Sequence, residues 1–118
     1  MPEPFDPLEF LTVARDLANR SQTEASLRAA VGRAYYAIFL TARDKARLQG
    51  KERLHERVGN AIESKQLVAA AYFEELKKLR VQADYFPVTR EPIFQDWLAN
   101  WKLADHNASI LVEFLKTW

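Results

Sequence analysis

From Leu8 to Phe86 the chain contains no proline, and Gly32, Gly50 and Gly59 are its only glycines. Proline breaks a helix by removing a backbone donor and clashing with the preceding turn, and glycine weakens it entropically. A long stretch nearly free of both favours helices. Its apolar residues recur at a spacing near 3.6, and no segment alternates convincingly at period two. The expectation is an all-α protein without a sheet. At 118 residues, 48% of them hydrophobic and 28% charged, a single domain over residues 1–118 can bury its own core.

Five helices follow from the pattern. The first is capped by Asp6, with Pro7 in the first helical position and Glu9 completing a capping box; Phe10, Ala14, Leu17 and Ala18 share a face, and it ends near 19–21. The second starts at Ser21 or Thr23 and runs to about Gln49, where Gly50 stops it. It carries two apolar stripes, Leu27, Val31, Ala34 and Ile38, and Tyr35, Phe39, Ala42 and Ala46. A helix with two stripes is contacted on several sides and is therefore the central one. Gly32 and several alanines keep it thin. A third helix spans about 52–63, with Leu54, Val58 and Ile62 in line. A fourth spans about 66–84, with Tyr72, Leu76, Leu79 and Ala83 facing the core. Pro87 and Pro92 bound a loop, and the fifth helix is expected from Pro92 onward. Phe94, Trp97, Leu98, Trp101, Ala108, Leu111, Val112 and Leu115 form its apolar face. This long face and its tryptophans suit either core or dimer contact, core for most of them. Phe94 with the two tryptophans nevertheless exceeds what a small bundle readily buries on one side, which points to a homodimer.

Several chemistries are excluded by what the chain lacks. With no cysteine there is no disulfide, thiolate metal site or cysteine nucleophile. His55 and His106 are the only histidines, and they lack metal spacing, so no metal or other cofactor is expected. There is no glycine-rich phosphate loop and no nucleophile elbow. The opening MPEPFDPLEF has neither a basic n-region nor a long apolar run, so neither a signal peptide nor a membrane span is expected, and a cytoplasmic location is. Net charge is +1, which gives no general field for nucleic acid. Charge is concentrated locally where Lys45, Arg47, Lys51, Arg53 and Arg57 crowd one stretch, diluted by Asp44, Glu52 and Glu56. Such a run commonly forms a solvated helix face.

Two constellations carry chemistry. Arg33, Tyr35 and Tyr36 sit within LRAAVGRAYYAIF on the central helix. An arginine amid apolar residues needs a partner, a polar groove or a route to water. Arg33 and Tyr36 share a face and form a candidate binding pair, while Tyr35 fits the second apolar stripe. The other constellation is Arg80, Asp84 and Tyr85 at the end of the fourth helix. Arg80 and Asp84 can pair along the helix. Alternatively the guanidinium is a planar clamp for phosphate or a stabiliser of charge in phosphoryl transfer.

The order and separation of these pieces resemble the HEPN family (higher eukaryotes and prokaryotes nucleotide-binding domain), in a minimal single-domain prokaryotic form. The features that carry the resemblance are RAYYAIF on a long second helix and His55 at the opening of the third. LKKLRVQADYFP at the end of the fourth and a final amphipathic helix with Ala104 and Ala108 complete it. The resemblance implies a four- to five-helix up-and-down bundle that forms homodimers. It implies a metal-independent RNase-type toxin, or a component of a toxin–antitoxin-like module with a nucleotidyltransferase antitoxin partner, acting through an Arg-lined groove. The family's hallmark is an Arg and a His separated by four to six residues. Arg80 matches the Arg, but the positions where the His belongs are Tyr85, Phe86 and Pro87. Whether the chain is an enzyme therefore stays open. The catalytic candidates are Arg80, Asp84, Tyr85 and His55, and Arg33 and Tyr36 are the binding candidates. The alternatives are a non-catalytic nucleotide- or RNA-binding or protein-interaction module, and a structural dimer without ligand.

Overall fold

A computed structural model describes residues 4–88 and 95–118. Five helices lie among them, α1 (Glu9–Arg20), α2 (Glu24–Lys45), α3 (Leu54–Lys65), α4 (Leu67–Tyr85) and α5 (Trp97–Lys116), and no strand. The all-α bundle read from the periodicity is the architecture observed.

Helix α2 is the spine. It packs against each of the other four helices, as its two stripes require. Leu27, Val31, Ala34 and Ile38 are buried on one side and Tyr35, Phe39 and Ala42 on the other. Its start is fixed by Thr23, whose hydroxyl accepts from Ser26 N at 3.2 Å. Its end differs from the expectation. The helix stops at Lys45, before Gly50, because Arg47 turns into the left-handed region with φ 56°. Arg47 N then bonds Asp44 O at 3.1 Å, and Leu48 N bonds Arg43 O at 3.1 Å. These two bonds satisfy carbonyls that a helix end leaves open, in a turn that usually has glycine where Arg47 stands.

The first helix also begins differently from its cap reading. Asp6 Oδ1 accepts from Leu8 N at 3.0 Å, but the next bonds are of the tighter i to i+3 kind, and the α-helix proper starts at Glu9. Helix α3 is entered through Arg53, itself left-handed at φ 51° and offering no side-chain cap. Only the extended Gln66 separates α3 from α4. At that contact Gly59 faces Glu74 and Phe73, and a Cβ there would stand 2.9 Å from Glu74 Oε1, so that only the flexible end of that side chain would have to yield. The expected start of the fifth helix at Pro92, and Phe94, lie outside the described residues. The helix described begins at Trp97 behind Asp96, whose carboxylate accepts from Ala99 N at 3.1 Å.

Trp97 and Trp101 are only 5% and 7% exposed within the single chain. They belong to its core, so the apolar surplus read as a dimer face is not theirs. Among the described residues the large apolar side chains left exposed are Phe5, Val13, Leu67, Val68, Tyr85 and Val88. No described helix is long and apolar enough to cross a membrane.

Candidate functional site

The fold gathers a polar cluster where the middle of α2 meets the start of α3 and the last turns of α4. Arg80 lies at its centre, 9% exposed. Its Nη2 donates to the Tyr36 hydroxyl at 2.8 Å, and its Nε lies 3.0 Å from Asp84 Oδ2. The latter is a close ion pair whose N–H is not aligned as a hydrogen bond. Arg80 Cζ stands 5.5, 5.3 and 5.3 Å from the ring centres of Tyr35, Tyr36 and Tyr85, so three aromatic groups surround the cation. Gly32 of α2 lies opposite Asp84, where a Cβ would meet Asp84 Oδ1 at 3.4 Å, in ordinary contact.

His55 joins the cluster from the first turn of α3. The Tyr35 hydroxyl and His55 Nδ1 are 2.6 Å apart, and the imidazole stacks on Phe39 at 4.2 Å. Burial pushes the Tyr35 phenol well above its ordinary value, against the opposing effect of Arg80. His55 is lowered, first by burial and then by the positive charges of Arg80 and Lys77. Both groups are therefore neutral at pH 7. Two tautomers suit the pair: the phenol donates to Nδ1 and the ring proton sits on Nε2, or Nδ1–H donates to the phenol and Nε2 is free to accept. Arg80 is shifted up, so its charge is permanent; burial opposes the shift and the Tyr36, Tyr85 and Asp84 oxygens outweigh it.

Of the residues singled out from sequence, Arg80, Asp84, Tyr85, Tyr36 and His55 converge. Arg33 does not join them: it is exposed and faces α1, with Cζ 5.8 Å from the Phe10 ring. Arg33 and Tyr36, read as one face, are thus divided between two neighbours of α2. Arg80 and Asp84 do pair along α4, with the arginine end of the pair buried. Among the described residues no three His, Asp or Glu side chains converge as metal ligands.

Tyr35 is buried in the apolar stripe read for it, and it also bridges His55 and Arg80. Arg28 was not singled out at all. Its Nη1 donates to Gln82 O, Ala83 O and Phe86 O at 3.1, 3.2 and 2.7 Å, and its Nη2 to Pro87 O at 3.0 Å. Its guanidinium also stacks 4.4 Å from the Trp97 ring and pairs with Glu24 at 3.2 Å. Arg28 thus closes the C-terminus of α4 just beyond Asp84 and Tyr85, and ties it to α2 and α5. The signal was available: Arg28 lies on the same helical stripe as Gly32, Tyr35 and Phe39, where a solvated cation is out of place.

The chain matches no protein-family model, no curated protein and no solved structure.

Proposed function

We propose that this chain is a HEPN-type, RNase-like domain, the toxin-type component of a toxin–antitoxin-like module, acting on RNA at the Arg80 cluster. The observation that carries the reading is the Tyr35 bridge. Its hydroxyl is 2.6 Å from His55 Nδ1 and its ring centre 5.5 Å from Arg80 Cζ. On this reading His55, carried by another helix, takes the part of the histidine absent from the motif's sequence position. The chemistry it supports needs no metal. Neutral His55 accepts the proton of a ribose 2′-hydroxyl at Nε2 while Nδ1–H rests on the Tyr35 oxygen. The 2′-oxygen attacks phosphorus, the bond to the 5′-oxygen breaks, and that oxygen leaves with a proton from water. Arg80 holds the charge gathering on the phosphate oxygens. Tyr85, 62% exposed against Arg80, offers a ring on which a base can stack.

The module would work as a homodimer beside a nucleotidyltransferase partner, in the cytoplasm. The exposed Tyr85 and Val88, close to Arg80 in the chain, support such a face better than the buried tryptophans do. A second reading, a non-catalytic nucleotide- or RNA-binding or protein-interaction module, is favoured by one contact: Asp84 already neutralises Arg80 from 3.0 Å. The test is incubation of the purified protein with labelled RNA in the presence of EDTA, together with growth of cells expressing it. Cleavage and growth arrest, both lost in His55→Ala and Arg80→Ala variants that still melt cooperatively, are expected. Binding of RNA or nucleotide without cleavage by the wild type selects the second reading.

A further inference from the structure

The segment from the end of α2 to the start of α3 places cations where local physics asks for other residues. Arg47 holds the left-handed position that ends α2, a place suited to glycine, and its side chain is exposed. Arg53 holds the N-cap of α3, again left-handed, where a Ser, Asp or Asn would bond the open amides; it caps nothing and is exposed. Its one ion pair, to Glu56, is long at 3.8 Å. Neither side chain repays its backbone strain with a structural contact, and strain kept without such return points to function. Between them, Arg57 Nη2 donates to Gln49 O at 2.8 Å and Nη1 to Glu52 O at 3.4 Å, so the turn is held in shape from inside. Of the neighbouring cations, Arg43 is engaged by Asp44 at 2.9 Å, whereas Lys45, Arg47 and Lys51 have no side-chain partner among the described residues. Two cavities open on this turn and share Gln49, Gly50 and Lys51 in their walls. Leu54 lines one of them, and His55 is the next residue.

We infer that the 45–53 turn is a phosphate-backbone contact for RNA, which leads the strand toward His55. The polyanion's identity as RNA rests on the function proposed above; the site itself rests on the turn. Recognition would be by charge alone, without base reading, because the free groups are ammonium and guanidinium ions on an exposed turn.

The experiment is fluorescence anisotropy of a labelled oligouridine with the full chain across a salt series. Three proteins are compared: wild type, Arg47→Gly/Lys51→Gln/Arg53→Gly, and Arg80→Ala. The triple variant should bind about tenfold more weakly, with a salt slope shallower by about 2, as loss of three phosphate contacts to a single strand requires. Both glycines suit the backbone they enter, so a cooperative melt at or above the wild-type midpoint should accompany that loss. Arg80→Ala, which removes one phosphate contact on the function proposed above, should lower the slope by no more than about 0.7. An unchanged affinity and slope in the triple variant overturns the inference. So does a wild type that binds phosphatidylserine vesicles but not oligouridine. Turn-dependent RNA binding without cleavage leaves this inference standing while removing the RNase reading.

Discussion

Arginines occupy two regions of this molecule in opposite ways. At the end of α4, Arg28 and Arg80 are enclosed, each with its guanidinium against oxygens and aromatic rings. At the turn after α2, Arg47 and Arg53 are exposed, sit in strained backbone, and find at most one distant carboxylate. The first pair holds the fold together; the second draws on the stability of the fold. The same side chain thus reads as structure or as a free charge according to whether its desolvation is matched by partners.

The largest effect should come from breaking the enclosed set at Arg28. Arg28→Ala uncovers the carbonyls of Gln82, Ala83, Phe86 and Pro87 and removes the plate over Trp97. Water can reach part of this end, so the loss should be about 3 kcal/mol rather than the full sum of the bonds. A urea midpoint unmoved by the substitution would show that these bonds carry no net stability.

Arg80→Ala should cost less, about 2 kcal/mol, because the Asp84 side chain is 36% exposed and regains water when its partner leaves. This exceeds the ceiling of about 1 kcal/mol for a surface pair. Arg80→Lys should recover part of the stability but little activity, since an ammonium cannot reach the Tyr36 hydroxyl, Asp84 and a phosphate at once. Melts and RNA cleavage measured on both variants separate the two roles.

How far this contrast was legible in the sequence depended on the range of the interaction. The faces of α2 could be read because Leu27, Val31 and Ile38 repeat within one helix. The Arg80–Asp84 spacing could be read for the same reason. The Tyr35–His55 bond could not, because it depends on the angle at which α3 returns after the turn. Arg28 was hidden by its local pair with Glu24, which made it look like ordinary surface charge. The end of α2 was misplaced because Gly50 is the residue that usually stops a helix, whereas Arg47 does so here despite its side chain. Core and dimer contact could not be told apart for the tryptophans, because a count of apolar residues ignores that α5 packs against both α2 and α4.

A smaller effect should appear in pH. His55 is lowered from its ordinary 6.5 by burial, with Arg80 and Lys77 adding to the shift. The unfolded chain therefore binds its proton first as pH falls below about 6.5, and the folded state loses stability in that direction. The contribution is complete above that value and is lost as pH descends through the folded one. Unfolding free energies between pH 7.5 and pH 5 should show this slope in wild type, and His55→Gln should flatten it. An identical slope in the variant would assign it to other groups.

The smallest effect should have the opposite sign, and it tests the contrast most directly. An L-residue in the left-handed region costs about 1–2 kcal/mol, which glycine escapes. Glycine gives back part of that gain through the greater freedom of the unfolded chain. Among the described residues Arg47 has no side-chain partner whose loss would offset the relief, and both turn bonds, Arg47 N to Asp44 O and Leu48 N to Arg43 O, are made by backbone alone. Arg47→Gly should therefore raise stability by about 0.5 kcal/mol, read as a small upward shift of the thermal midpoint. The corresponding change at Arg28 would be ruinous, since there the side chain is the partner. A fall in the Arg47→Gly midpoint would mean that the exposed arginine is held by a contact after all, and the two regions would then differ in degree only.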